Sequence, residues 1–144
     1  PADDLDNLRR KADAGAKRAI TQFFFDHEHF LRLRDRAAAA GIAIPLIPGI
    51  LPIENFDRMA RFAKACGTQV PGWMADAFAN AADADQRTLL ATALATEMGD
   101  ILIAEGAEHL HFYTLNKPDL TFDITRALGV SPQPFAMAGR SGIA

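Results

Sequence analysis

The chain opens on a polar segment in which Leu5, Leu8 and Ala12 recur at i, i+3 and i+7, with Gly15 just beyond. That spacing gathers the three on one face and predicts a short amphipathic helix. The run Arg18-Ala19-Ile20-Thr21-Gln22-Phe23-Phe24-Phe25-Asp26 is dense in apolar and aromatic residues and too short for a helix of its own. It reads as a buried strand ending near 22–24. Between 27 and 40, Phe30, Leu33 and Ala37 share a helical face, Arg32, Arg34 and Arg36 lie off it, and Gly41 closes the helix. A second apolar run, 42–47, meets Pro48-Gly49-Ile50-Leu51-Pro52, whose prolines and glycine are expected to end the strand ladder. Asn55 is placed to cap a helix through Lys64 built on Phe56, Met59 and Ala63. Residues 68–74 read as a weak strand. A longer helix, about 85–105, uses Leu90, Leu94, Met98 and Ile101 or Leu102 and stops at Gly106. Residues 108–114 read as a strand, and Leu120, Ile124, Ala127 and Leu128 mark a last helix closed by Gly129.

The order is thus a helix followed by four strand–helix pairs, with strands starting near 18, 42, 68 and 108. Helices between successive strands demand parallel pairing and right-handed crossovers. An open doubly wound sheet and part of an eight-fold β/α barrel both accept that order, although the closed barrel usually takes about 250 residues. Neither G-x-G-x-x-G nor G-x-x-x-x-G-K-[ST] occurs, which removes the commonest nucleotide-binding reasons for an open sheet. In both architectures ligands sit at the carboxyl ends of the strands. Attention therefore falls on 22–26, 48–52, 71–73 and 113–117. Residues 1–130 are expected to form one unit and 131–144, rich in Pro, Gly and Ser, a flexible tail.

Composition narrows the function classes. The 144 residues carry 15 Lys+Arg against 18 Asp+Glu, a formal charge of −3, with 49% hydrophobic and 23% charged residues. A packed core is expected, and wholesale disorder is excluded. The charge balance supplies no basic stripe for bulk nucleic acid or an anionic membrane. No apolar run approaches the ~20 residues of a membrane span, and the opening segment has no apolar signal-peptide core. A single cysteine builds no disulfide framework. A soluble cytoplasmic protein is the expectation.

Candidate chemistry is sparse. His27 and His29 flank Glu28 at a helix start, and His109 and His111 share a strand face, but neither pair has a third ligand at metal-site spacing. No metal site is expected. Cys66 has no paired base in sequence and reads as a structural thiol. Gln22, at the end of an aromatic strand, can offer both donor and acceptor to a heterocycle edge, though a satisfied buried amide explains it equally well. Phe62 lies off the Phe56/Met59/Ala63 face, where it can be a stacking surface or a core ring. Asp4, Asn7 and Lys11 share a face of the first helix with Arg10 beside them, an arrangement that suits a phosphate or polyol and equally a solvated surface. Arg32, Arg34 and Arg36 read as solvated.

From 18–26 the sequence resembles the methylenetetrahydrofolate reductases. The resemblance continues through Pro48-Gly49-Ile50-Leu51-Pro52, Asn55-Phe56, Pro71-Gly72-Trp73-Met74 and His111-Phe112-Tyr113-Thr114-Leu115-Asn116, collinearly over about 4–130. It implies a (β/α)8 TIM barrel that binds FAD and reduces 5,10-methylenetetrahydrofolate to 5-methyltetrahydrofolate with NADH or NADPH, a step of one-carbon metabolism and methionine biosynthesis. This chain then looks like strands five to eight of that barrel, its C-terminal half. By the same resemblance Asp4, Asn7, Arg10 and Lys11 match positions that hold the ribityl and diphosphate parts of FAD. Gln22 matches the glutamine that meets folate and nicotinamide in turn, and Phe62 the phenylalanine that packs on either. Arg58 stands where some relatives use Gln for folate, and Lys117 where they use Arg. Arg and Lys are not equivalent carboxylate binders.

The resemblance also implies that the general-acid glutamate lies in the other half of the barrel, so no catalytic side chain is assigned here, and Asp26 and Glu28 are not promoted to that role. The isolated chain is expected to have little reductase activity. The alternative is a catalytically inactive half-barrel that self-associates through open strand edges, and a homo-oligomer is expected. A small flavodoxin-like domain ranks last, because the loop after the first strand is bulky and lacks glycine.

Overall fold

A computed structural model describes residues 2–115 and 118–130. The elements are α1 (Ala2–Asp13), β1 (Ala19–Phe23), α2 (His27–Ala39), β2 (Leu46–Ile50), α3 (Phe56–Ala65), α4 (Gly72–Asn80), α5 (Ala84–Ala104), β3 (His111–Phe112) and α6 (Asp119–Ala127). The three strands form one sheet in the order β1-β2-β3, parallel throughout. The α/β class and parallel pairing hold. The tail beyond residue 130 lies outside the described residues.

Local signals account for the helices. The Asp26 carboxylate accepts from the Glu28 N–H at 3.0 Å and starts α2, and the Asn55 carboxamide oxygen accepts from the Arg58 N–H at 2.9 Å and starts α3. Each such cap is worth about 1 kcal/mol. Gly15, Gly41, Gly106 and Gly129 follow their helices with positive φ, as left-handed helix stops require.

Four expectations need correction. The weak strand at 68–74 is absent: Met74 and Phe78 are buried one helical turn apart, and α4 starts at Gly72 behind Pro71. The described sheet therefore has three strands, not four. The 68–70 segment still lies beside β1, where the Thr68 hydroxyl donates to the Phe23 carbonyl at 3.2 Å.

The second strand starts at Leu46 rather than near 42 and runs straight through Pro48 and Gly49. A proline in a central strand removes a ladder donor, which is tolerated at a bulge. Here β1 shifts register between Ile20 and Phe23, opposite that very stretch.

β1 is buried on one side only. Ile20 is 49% exposed and Gln22 is exposed on the same face, because no described element covers it. On α5 the buried line is Ala91, Ala95, Gly99 and Leu102, one position round from the larger apolar residues that the periodicity favours. Small residues let α6 and its C-terminal turn approach: a Cβ on Gly99 would lie 2.9 Å from a Leu128 methyl.

The core gathers Phe23, Phe30, Ile50, Met59, Leu102 and Ile124 with their neighbours between the sheet and its helices. Leu102 and Ile124 are fully buried, and each contributes about 1.5–3 kcal/mol through its side chain. Among the described residues no polar or charged residue is buried, so apolar packing fills the core.

Candidate active site at the carboxyl end of the sheet

The carboxyl ends of the three strands converge on an aromatic group. Phe23, the last residue of β1, is 2% exposed, and its ring stacks on Phe62 with centroids 5.4 Å apart and planes 19° from parallel. Tyr113, just past β3, meets Phe23 edge-on at 6.0 Å, and Phe25 does so at 5.8 Å. Phe62 reaches this point because α3 turns Met59 and Ala63 into the core, leaving Arg58 and Phe62, one turn apart, on the flank. Buried on its Phe23 side, Phe62 stays 38% exposed on the other. A planar ligand could stack there at little cost, since the ring is already ordered.

Beside it lies a cleft of about 300 Å³, walled by Leu51 and Pro52 after β2, Asn55, Arg58 and Phe62 of the α3 region, and Tyr113 to Leu115 after β3. The walls are mostly apolar, and Glu54 and Arg58 line them with one charge of each sign. That is the makeup of a site for a flat molecule held by a few polar contacts. Leu115 is held at φ 48° and is 57% exposed. A bulky residue in the left-handed region is uncommon and strained, and such strain gathers at ligand sites.

The structure thus brings together Arg58 and Phe62 on the cleft wall, whereas Gln22, before Phe23 on the uncovered Ile20 face of β1, is not among the residues that line the cleft. Gln22 is exposed, not a buried amide, and its carboxamide oxygen accepts from the Phe23 N–H at 3.1 Å. Asp4, Asn7, Arg10 and Lys11 are all exposed on α1, away from the walls of this cleft. Lys117 lies outside the described residues. Tyr113 and Leu115 fall in the 113–117 segment to which the strand ends directed attention, but neither was given a role of its own. The available signal for Tyr113 was the alternation His109, His111, Tyr113, which carries one strand face up to the carboxyl end.

Other candidates resolve structurally. Asp26 is the α2 cap. His111 packs edge-on against Tyr113 at 4.7 Å. Among the described residues no group of three His, Cys, Asp or Glu could hold a metal ion. Cys66 is half-buried at the end of α3 and packs on the core. Arg34 is not merely solvated: it donates to the Glu105 carbonyl at 2.7 Å and pairs with the Glu105 carboxylate at 3.8 Å, tying α2 to the end of α5. No described helix is long and apolar enough to cross a membrane.

Fold and site together define an α/β protein with an open, mostly apolar cleft at the carboxyl ends of parallel strands. The methylenetetrahydrofolate reductase family matches residues 1–129, and the chain belongs to that family. It is 49% identical over 130 residues to the 5,10-methylenetetrahydrofolate reductase of Escherichia coli (strain K12), covering 90% of this chain and 44% of the relative. The enzyme of the same name from Buchnera aphidicola subsp. Acyrthosiphon pisum is 45% identical over 129 residues, 88% of this chain and 44% of the relative. Methylenetetrahydrofolate reductase 1 of Schizosaccharomyces pombe is 37% identical over 141 residues, 94% of this chain and 23% of the relative. The chain spans less than half the length of the curated relatives it matches.

Proposed function

We propose that this chain forms part of an FAD-dependent methylenetetrahydrofolate reductase, in which hydride from NADH or NADPH reaches 5,10-methylenetetrahydrofolate at the carboxyl end of a β/α barrel. The observation that carries the reading is the half-exposed Phe62 stacked on Phe23, beside the exposed amide of Gln22 and the Arg58-lined cleft. Relatives named for that reaction support it.

Each residue then has a task that suits its chemistry. Phe62 offers its free face to whichever planar ligand is present. Gln22 turns its carboxamide from the Phe23 N–H towards the ligand's heterocycle edge, giving a donor and an acceptor to two ligands that come in turn. An uncharged amide and ring suit a site that must release both. Arg58, with Lys117, meets the carboxylates of the folate tail. The chemistry of the α1 side chains fits FAD: Asp4 and Asn7 would accept from the ribityl hydroxyls, while Arg10 and Lys11, basic residues in the helix's last turn, would face the diphosphate. FAD, when bound, supplies the hydride chemistry, so the protein mainly orients ligands and excludes water. The protein acts in the cytoplasm.

The general acid is expected on barrel strands outside this chain. The exposed Ile20 on the Gln22 face and the two outer strands β1 and β3 favour completion of the sheet by further strands, from the rest of the barrel or from a second copy in a homo-oligomer. The test is turnover of NADH with menadione and with methylenetetrahydrofolate, read beside the flavin absorption spectrum. The complete reductase is expected to be yellow and active, and this chain alone nearly inactive. Robust turnover by the chain alone with flavin bound would contradict that division. A colourless, inactive complete protein would contradict the function.

A further inference from the structure

Tyr113 makes a contact that the proposed ligand contacts do not use. Its N–H donates to the Ile50 carbonyl at 2.8 Å, continuing the β2–β3 pairing, but its side chain turns back across the sheet, and its hydroxyl donates to the Thr21 carbonyl of β1 at 2.9 Å. The ring crosses β2 at Gly49. A Cβ there would stand 2.7 Å from Tyr113 Cε2 and 2.7 Å from the Thr21 oxygen, so only glycine leaves the passage open. The Gly49 N–H in turn donates to Thr21 Oγ1 at 3.1 Å. Thr21 is therefore gripped twice, at its carbonyl from beyond β3 and at its hydroxyl from β2, where β1 changes register.

The Thr21 carbonyl belongs to the same rigid peptide plane as the Gln22 nitrogen. Whatever orients that carbonyl orients the backbone from which the Gln22 side chain leaves. We propose that Tyr113 is a positioning residue: its hydroxyl, reaching over Gly49 to the Thr21 carbonyl, sets the direction in which Gln22 is presented to the ligand. This rests on reading Gln22 as the ligand-orienting amide. The Tyr113 hydroxyl is spent on Thr21, and its role is exerted through the backbone of β1 rather than on the ligand.

Tyr113→Phe, made in the complete reductase, removes the hydroxyl and keeps the ring packed on Phe23 and His111. Both half-reactions, followed by stopped-flow absorbance, are expected to slow by about fivefold, the equivalent of one ordinary hydrogen bond. Added to Gln22→Ala, the same change is expected to cost no more than about twofold, because the group it positions is already gone. Hydrogen–deuterium exchange of the Ala19–Phe23 strand is expected to quicken in Tyr113→Phe. Equal losses from Tyr113→Phe with and without Gln22, or wild-type rates and exchange in Tyr113→Phe, would overturn the positioning role while leaving the reductase reading intact. Wild-type rates in Gln22→Ala would overturn the reading of Gln22 and the positioning role with it.

Discussion

The two ends of the sheet are built from different materials. At the amino end, helix ends are tied by cations to carbonyls: Arg9 of α1 donates to the Ala40 carbonyl at 2.6 Å, and Arg34 of α2 to the Glu105 carbonyl at 2.7 Å. Glycines at 15, 41 and 106 turn the chain tightly there. At the carboxyl end, rings and amides meet around an open cleft, Leu115 holds a left-handed conformation, and Phe62 keeps one face in solvent. One end is cross-tied by cations on helix carbonyls, and the other presents stacked rings to solvent. The difference is the division between stabilising and ligand-binding faces expected of β/α proteins.

Substitutions should separate the two ends, and the largest effect belongs where the carboxyl-end site rests on the core. Phe23 is buried in the core and also forms the floor of the site, so Phe23→Ala is expected to cost about 3–5 kcal/mol in denaturant unfolding and to abolish ligand binding. Gly49→Ala comes next, at about 1–3 kcal/mol, because the new methyl group has backbone on one side and the Tyr113 ring on the other. Smaller still is a matched pair. Arg34→Ala should lower stability by about 1 kcal/mol and leave ligand affinity unchanged in a fluorescence titration. Phe62→Ala should cost a similar amount of stability but weaken binding of NADH about tenfold. Equal binding losses in both variants would erase the comparison.

What was legible in the sequence were features with local causes. Asn55 announces the start of α3, and the glycines announce where helices stop. Phe62 was legible as the ring off the core face of α3. The misreadings arose where distant parts of the chain decide. Residues 68–74 are apolar enough for a strand, and only Phe78, one turn beyond Met74, gives the helical period away. Pro48 and Gly49 read as strand breakers until the bulge opposite them in β1 is known. The buried line of α5 follows its small residues because α6 and Leu128 must come close. The contact from Tyr113 to Thr21 spans 92 residues, and nothing in either local sequence reports it.

The most direct test of the carboxyl-end site is stopped-flow absorbance of flavin reduction by NADH and of its reoxidation by methylenetetrahydrofolate, comparing Gln22→Ala with Arg34→Ala in the complete reductase. Slowing of both half-reactions by about tenfold or more in Gln22→Ala, with Arg34→Ala at wild-type rates, is the predicted result. Wild-type rates in Gln22→Ala, or equal slowing in both, would contradict the assignment of ligand orientation to this end of the sheet.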